Sequence, residues 1–192
     1  PENVDDDGII KGIHRNSLGS GAGKKAQILA SGVSVPWAYE AQRLLQDDWN
    51  VSADIWSVTS WNELRRDGLA ADRHNFLNPS AAPQVSWVTE KLAGTQGPVI
   101  AVSDFMRAVQ DQIRDWVPND FVSLGTDGWG MSDTRGALRR HFLVDAQSIT
   151  VQALAMLAKR GEIPAERVQE AIDRYDLTNP KAASAGNTEG GG

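Results

Sequence analysis

The sequence predicts an α/β fold, a three-layer sandwich in which helices cover both faces of a mostly parallel sheet. Short apolar stretches of strand length alternate along the chain with segments whose apolar residues recur every three to four positions, the spacing of an amphipathic helix. The strand stretches are nearly continuous in apolar residues, as expected for strands that are buried on both faces. Strand, helix and strand in succession indicate a parallel pair, because the helix returns the chain to the starting edge of the sheet.

The first half of the chain supplies an edge strand and one strand–helix–strand unit. Residues 8–18 carry isoleucines at 9, 10 and 13 among polar residues, which predicts a strand exposed on one side, at a sheet edge, that can run antiparallel. Pro36 falls in the first turn of the predicted helix, where its missing N–H costs nothing. The elements of the unit are a buried strand at 26–32, a helix at 35–48 and a second core strand at 51–60.

A glycine-rich segment at 19–25 separates the edge strand from this unit. Its glycines and lysines invite comparison with a phosphate-binding loop. Such a loop leads into the N-terminus of a helix, however, whereas this one precedes an apolar strand. We therefore interpret it as a mobile hairpin or linker.

The second half repeats the alternation and ends in a polar tail. Asp104 is expected to cap a helix that Pro118 ends. Residues 177–192 can bury too little apolar area to offset a backbone entropy of about 1–2 kcal/mol per residue, which predicts a disordered tail after one domain at 1–176. The other predicted elements are strands at 98–103 and 121–125 and helices at 132–142, 146–160 and 164–175.

Composition narrows the classes of function. With 192 residues, of which 41% are hydrophobic and 23% charged, the chain suits one globular domain. It has no cysteine, which excludes disulfides and thiolate chemistry and fits a reducing compartment, so we expect a cytoplasmic protein. A net charge of -6 with scattered basic residues disfavours nucleic acid as a partner, and no apolar run reaches the roughly 20 residues of a membrane span. Pro1 in place of methionine is expected of a fragment or of a processed N-terminus.

No set of residues with catalytic spacing is present. His14, His74 and His141 are far apart, and none has the spacing of a metal site. His141 is expected near a helix C-terminus, where an imidazolium stabilises the exposed carbonyl groups. No serine stands in a Gly-x-Ser-x-Gly elbow. The sequence therefore predicts no catalytic or metal-binding residue in this chain.

The run LGTDGWGMSDTR at 124–135 stands out, because it follows a predicted strand at the edge where open α/β sheets place their function. Two interpretations stay open. In one, the glycines form a tight turn, Trp129 fills the core and Ser132 or Asp133 caps the next helix. In the other, the loop is an interaction surface. The second interpretation predicts that four residues contact another domain or subunit: Asp127, Trp129, Asp133 and Arg135. Seven tryptophans are many for this length, and some are expected to face a partner.

Four runs of residues, in this order, resemble the homodimeric-type, thiamine diphosphate-dependent first component of the pyruvate dehydrogenase complex. They are DIWSVTSWNELRRDG at 54–68, LGTDGWGMSDTR at 124–135, ALRRHFLVDA at 137–146 and AMLAKRGEI at 155–163. The likeness covers residues 5–176. It implies the C-terminal domain of that enzyme, which is similar to the C-terminal domain of transketolase and has a mixed sheet of about five strands.

The resemblance also implies a role. The whole enzyme is an oxidoreductase between glycolysis and acetyl-CoA that decarboxylates pyruvate and reductively acetylates lipoyl groups. Thiamine diphosphate and magnesium lie between its first two domains, so the resemblance implies no cofactor in this one. It implies a non-catalytic, architectural and dimerisation domain that is inactive when isolated. The implied partners are the remaining domains, a second copy in a homodimer and the lipoyl-bearing acetyltransferase component of the multienzyme complex.

Four positions depart from the family pattern. Trp129 stands where phenylalanine is usual, Met131 where arginine is usual, Asn78 where histidine is usual and His74 where tryptophan is usual. A paralogue acting on another 2-oxo acid, such as 2-oxobutyrate, therefore stays open. Two further alternatives are a free-standing interaction module that pairs through its tryptophans and, from the α/β pattern and two glycine loops alone, a flavodoxin-like nucleotide-binding enzyme.

Overall fold

The computed structural model describes residues 5–179 and contains one five-stranded mixed sheet. The strands are β1 (Ile13–Ser17), β2 (Lys24–Ala30), β3 (Val51–Val58), β4 (Val99–Val102) and β5 (Phe121–Leu124). Their order across the sheet is β1-β3-β2-β4-β5. The edge strand β1 runs antiparallel to β3, and the other three pairs are parallel. The predicted mostly parallel sheet with an antiparallel edge is confirmed.

Helices cover both faces of this sheet. They are α1 (Asp6–Lys11), α2 (Val35–Trp49), α3 (Trp61–Leu77), α4 (Trp87–Leu92), α5 (Arg107–Asp111), α6 (Arg135–His141), α7 (Ala146–Lys159) and α8 (Glu166–Arg174). Residues of α2, α7 and α8 share one apolar core with the sheet. Residues of α3 and α4 share a second core on the opposite face. The three predicted layers are therefore present.

Side chains alternate along each strand between the two cores on the opposite faces of the sheet. Ile28 of β2 lies in register with Ile55 and Ile100 and faces α2 and α7. The next residue, Leu29, lies beside Trp56 and faces α3. Successive side chains of a strand point to opposite faces, so every second residue serves the same core. Full burial of each such side chain contributes about 1.5–3 kcal/mol.

The segment at 8–18 differs from its prediction as one continuous strand. Residues 6–11 form α1, because the Asp5 carboxylate accepts a hydrogen bond of 2.8 Å from the Gly8 N–H and caps the helix. Gly12 ends α1 in the left-handed conformation at φ 104, which favours glycine. Local capping therefore outweighed the spacing of the isoleucines, and β1 is limited to Ile13–Ser17.

The prediction that Asp104 caps a long helix is wrong. Helix α5 begins at Arg107, two residues after the predicted start, and ends at Asp111. A separate 3-10 turn follows at Arg114–Trp116. The first N–H of α5, that of Arg107, is instead bonded to the Asp127 carboxylate at 2.9 Å. A residue twenty positions away supplies the cap, which a local pattern cannot show.

Helices α3 and α4 occupy a segment for which no element was predicted. The inward positions of α3 are buried, but several outward positions are large and apolar, which obscures the amphipathic pattern. Gly68 lies on the inward side, where an added Cβ would come within 2.4 Å of the Trp116 ring. The glycine thus allows α3 to pack closely against the 3-10 turn.

The glycine-rich segment at 19–25 joins two strands that are not neighbours in the sheet, so it is a connection and not a hairpin. The Gly19 N–H donates to the Asp54 carboxylate at 2.9 Å, and the Gly21 N–H donates to the Ser52 hydroxyl at 3.0 Å. Lys24 and Lys25 already belong to β2. The mobility of the segment stays a prediction.

Of the predicted tail at 177–192, only residues 177–179 are described. The Leu177 N–H donates to the Ile172 carbonyl at 3.0 Å, and its side chain packs partly buried against the core. Residues 180–192 lie outside the described part of the chain. The domain boundary at 176 stays a prediction. Within residues 5–179, no helix is both long and apolar enough to span a membrane.

Candidate functional site

Three loops meet at the carboxyl edge of the parallel strands. They follow β2, β4 and β5, and parallel neighbours end at the same edge. Backbone hydrogen bonds connect them: the Ser31 N–H donates to the Val102 carbonyl at 3.3 Å, and the Thr126 N–H donates to the Phe105 carbonyl at 2.9 Å. The loops therefore form one continuous surface.

Buried polar side chains fix the base of these loops. The Ser34 hydroxyl donates to the Val102 carbonyl at 2.9 Å, and the Trp61 indole N–H donates to the Ser31 hydroxyl at 3.0 Å. Gln110 is fully buried and donates to the Leu124 carbonyl at 3.2 Å and to the Ser103 hydroxyl. These buried hydrogen bonds hold the base of the loops in one geometry, although the Gln110 side-chain oxygen has no partner.

Asp127 anchors the glycine-rich loop to α5. Its carboxylate accepts hydrogen bonds from the Arg107 N–H at 2.9 Å and from Arg107 Nε at 2.6 Å. The side-chain bond from Arg107 lowers the pKa of the Asp127 carboxyl, and the backbone bond adds to this effect. The same contact raises the pKa of Arg107. Because two hydrogen bonds hold the carboxylate from different directions, they restrict the position of the loop more than a simple ion pair would.

The loop directs Trp129 into solvent. Its side chain is 94% exposed, so the interpretation in which it fills the core is wrong. Four other apolar side chains on the same three loops are more than half exposed: Val33, Phe105, Met106 and Met131. We call these four residues and Trp129 the carboxyl-edge surface. Exposed apolar side chains gathered on adjoining loops mark contact sites.

The other two predicted contact residues border this surface. Asp133 accepts a hydrogen bond of 2.7 Å from the Thr134 N–H, and both Asp133 and Arg135 are exposed. Thr134 caps α6 by accepting from the Ala137 N–H at 3.3 Å, so the alternative that Ser132 or Asp133 caps the helix is wrong. The structure thus brings all four predicted residues to one edge. Their contact with a partner stays a prediction.

Sequence reasoning missed the residues that support the loop. Arg107 could not be found, because its partner lies twenty residues away in the chain. Phe105 and Met106 carried a usable signal. They are two large apolar residues just after a core strand, and they directly follow Asp104, the expected helix cap. The predicted helix after Asp104 includes both residues, which hides their exposure.

The amino edge of the sheet holds an open cleft of about 790 Å³. Its lining includes Lys24, Lys25 and Arg160 together with Asp120 and Glu162. Arg160 is bonded to Asp120 at 2.7 Å and to Glu162 at 2.6 Å. Two carboxylates thus lie among the three basic side chains of the lining, so the cleft presents no concentrated basic charge for an anionic ligand.

The histidines lie on separate elements. His14 is in β1, His74 is near the end of α3 and His141 ends α6, as predicted for a residue at a helix C-terminus. His141 packs edge to face against Phe142 with 5.0 Å between ring centroids. Among residues 5–179, no three His, Asp or Glu side chains are grouped closely enough to hold a metal ion.

The sheet order, the three layers and the exposed carboxyl edge define the class: an α/β domain of the transketolase C-terminal type. A solved structure described as "Split gene transketolase, inactive beta4 tetramer" matches with a TM-score of 0.54 and 15% identity, over 77% of this chain and 43% of that chain. The transketolase from Leishmania mexicana matches with a TM-score of 0.50 and 18% identity, over 82% of this chain and 20% of that chain. These likenesses show the fold alone.

The sequence gives the family. Residues 13–145 match the family described as "Transketolase-like TK C-terminal domain", and the chain belongs to it. Curated relatives named "Pyruvate dehydrogenase E1 component" are 47% identical over all of this chain in Mycolicibacterium smegmatis and in Mycobacterium tuberculosis. The Escherichia coli relative of that name is 40% identical over 95% of the chain. The predicted resemblance is confirmed. The chain spans 21% of the length of each of these relatives.

Proposed function

We propose that this chain is the C-terminal, non-catalytic domain of a pyruvate dehydrogenase first component. In the whole enzyme it acts in architecture and dimerisation, while the reaction, decarboxylation of pyruvate and reductive acetylation of lipoyl groups, takes place on other domains. The identity to relatives of that name, 47% across the whole chain, supports the parent enzyme. Their fivefold greater length leaves room for the remaining domains.

The exposure of Trp129 carries the proposal. A tryptophan that is 94% exposed on a loop fixed by the Arg107–Asp127 contact costs hydration free energy unless a partner covers it. Burial of a large aromatic side chain is worth roughly 2–3 kcal/mol, and such residues dominate protein interfaces. The carboxyl-edge surface is therefore the contact with the other domains or with the second copy of a homodimer.

Within the described residues, the two glycine-rich segments do not fit thiamine diphosphate with magnesium. The Asp127 carboxylate at the carboxyl edge is already engaged by Arg107, and that of Asp133 accepts the Thr134 N–H. The glycine-rich segment at 19–25 leads into β2 and not into a helix N-terminus, so it forms no cradle for a diphosphate. We therefore assign the cofactor to the parent's other domains and no step of the reaction to this one.

The remaining parts of the proposal follow from the parent enzyme. Its partners are a second copy and the lipoyl-bearing acetyltransferase component, and its location is the cytoplasm. Met131, where arginine is usual in the family, is exposed on the carboxyl-edge surface. We assign the change to the contact surface, and pyruvate follows from the name of the relatives.

Reconstitution tests this proposal. Thiamine diphosphate-dependent decarboxylation of pyruvate is measured with an artificial electron acceptor for three samples: this chain, the parent's other domains, and their mixture. We expect activity that increases when this chain is added and no activity from this chain alone. Activity of the isolated chain would overturn the assignment of the cofactor to other domains. A mixture no more active than the other domains alone would favour a free-standing interaction module.

A further inference from the structure

Helix α3 has an outward face that nothing in the described structure covers. Its inward positions are buried: Trp61, Leu64, Gly68 and Ala71. Its outward positions follow one another at helical spacing and are exposed: Arg65, Leu69, Arg73, Phe76 and Leu77. Residues four apart lie on the same side of a helix, so these five side chains form one stripe.

The stripe is apolar toward the end of the helix. Phe76 is 83% exposed, and Leu77 is more than half exposed. The Asn75 amide fixes the following loop beside them, since it accepts from the Gln84 N–H at 2.7 Å and donates to the Gln84 carbonyl at 2.9 Å. This places Val85, also more than half exposed, next to the helix end. We call the stripe and Val85 the α3 surface.

Each acidic residue of α3 is engaged by another group, including Asp72, which is exposed one turn before Phe76 at the border of this surface. The Asp72 carboxylate accepts from the Trp116 indole N–H at 3.0 Å, and the Asp67 carboxylate accepts from the Trp87 N–H. Glu63 pairs with Arg66.

The arginines of the stripe are not neutralised in the same way. Across the described chain, no carboxylate comes within ion-pair distance of Arg65 or Arg73. The α3 surface is therefore apolar and positively charged on a protein whose net charge is -6.

The α3 surface and the carboxyl-edge surface lie toward opposite ends of the domain. Helix α3 starts directly after β3 at the carboxyl edge, where Trp61 bonds to Ser31, and returns the chain toward the amino edge. Its 17 residues extend for roughly 25 Å. Phe76 and Trp129 thus lie toward opposite edges of the sheet.

We propose that the α3 surface binds an acidic amphipathic helix of a separate protein. Leucine-like side chains of that helix would pack on Leu69, Phe76 and Leu77, as in other complexes of a helix with an apolar surface. Its carboxylates would pair with Arg65 and Arg73, whose planar guanidinium groups suit two-pronged bonds to carboxylates. The choice of a separate protein rests on the proposed function, in which the carboxyl-edge surface faces the rest of the parent.

A membrane is the less suitable partner. Recognition of anionic lipid takes a cluster of about four to eight basic residues, and this surface offers two arginines without carboxylate partners. The net charge of -6 also repels an anionic bilayer.

Binding of a designed peptide to the full-length parent tests the proposal. The probe is a fluorescent helical peptide of about 18 residues with leucine on one face and glutamate elsewhere, followed by anisotropy. We expect saturable binding that Phe76→Ser and Arg73→Glu each weaken by about tenfold or more. The matched control Leu18→Ser, an exposed leucine outside both surfaces, should bind as the wild type does. Absence of binding, or equal binding to Phe76→Ser, would overturn the proposal.

Two further experiments distinguish a separate protein from a membrane and from the parent's own domains. A peptide with lysine in place of glutamate should not bind, and vesicles containing phosphatidylserine should not retain the parent. Retention on vesicles would mean that the partner is a membrane and not a protein.

Phe76→Cys in the parent should react rapidly with a maleimide at position 76, as mapped by mass spectrometry. Slow labelling would mean that the parent's own domains cover this surface, which overturns the choice of a separate protein, whereas the proposed function would be unaffected.

Discussion

The Asp127 carboxylate accepts two hydrogen bonds from Arg107, one from its backbone N–H at 2.9 Å and one from its Nε at 2.6 Å. The first bond satisfies the open end of helix α5, and the second neutralises the charge of the carboxylate. Together they connect the loop after β4 to the loop after β5 at the carboxyl edge. This contact fixes the base of the segment that exposes Trp129.

We expect Asp127→Asn to weaken the domain at neutral pH and to remove part of its sensitivity to acid. The pKa of Asp127 is lowered in the folded state, chiefly by the side-chain bond from Arg107. Its contribution is therefore present above the ordinary carboxyl pKa of 3.8 and is lost as the pH falls through the lower folded value. Urea unfolding of both proteins should show a difference in free energy that shrinks below about pH 4. A difference that is independent of pH would contradict the Arg107 contact.

The buried Arg140–Asp145 pair should be the most sensitive ion pair of the domain. Arg140 is 3% exposed, and its Nε donates to Asp145 at 2.6 Å. Its Nη1 also donates to the carbonyls of Tyr175 and Asp176 at 3.1 Å each, which fixes the end of α8. Arg140→Met leaves a buried carboxylate without its partner, and we expect a loss of about 3–5 kcal/mol in the free energy of unfolding.

A surface pair provides the control for this variant. Arg43 bonds to Glu40 and Asp47 along one exposed face of α2. Arg43→Met should cost less than about 1 kcal/mol in the same urea titration. Equal losses for the two variants would show that burial does not determine the strength of these pairs.

Close packing of α3 on the 3-10 turn predicts that Gly68→Ala destabilises the fold. The new Cβ would lie 2.4 Å from the Trp116 ring, and the steric cost of about 1–3 kcal/mol exceeds the gain of up to about 1 kcal/mol in helix propensity. Gly94→Ala is the matched control, because a Cβ at that position meets no atom within 4 Å. Thermal unfolding should show a lower Tm for Gly68→Ala alone. An unchanged Tm would contradict the packing of this helix.

Elements with local signals could be predicted from sequence. The β2–α2–β3 unit follows from apolar strands and a helix that begins at Pro36, and its bounds differ from the prediction by two residues at most. Both predicted strands ran two residues too far, and the second did so because Ser60 serves as the cap of α3. That helix itself could not be predicted, because its outward apolar residues break the amphipathic pattern that prediction depends on.

The candidate site could be located from sequence but not understood. The glycines after β5 marked the carboxyl edge of the sheet, and its connection to parallel strands follows from the fold class. The direction of Trp129 could not be decided, since a tryptophan suits both a core and an interface. The structure resolves this through Arg107, whose bond to Asp127 depends on contacts between two loops that are distant in sequence.

Hydroxyl-radical footprinting read by mass spectrometry tests the central claim most directly. The oxidation rate of Trp129 is compared between this isolated chain and the full-length parent, with exposed Phe76 as the internal reference. We predict that Trp129 reacts rapidly in the isolated chain and is protected in the parent, while Phe76 reacts rapidly in both. Equal reactivity of Trp129 in the two samples would contradict a contact through the carboxyl-edge surface.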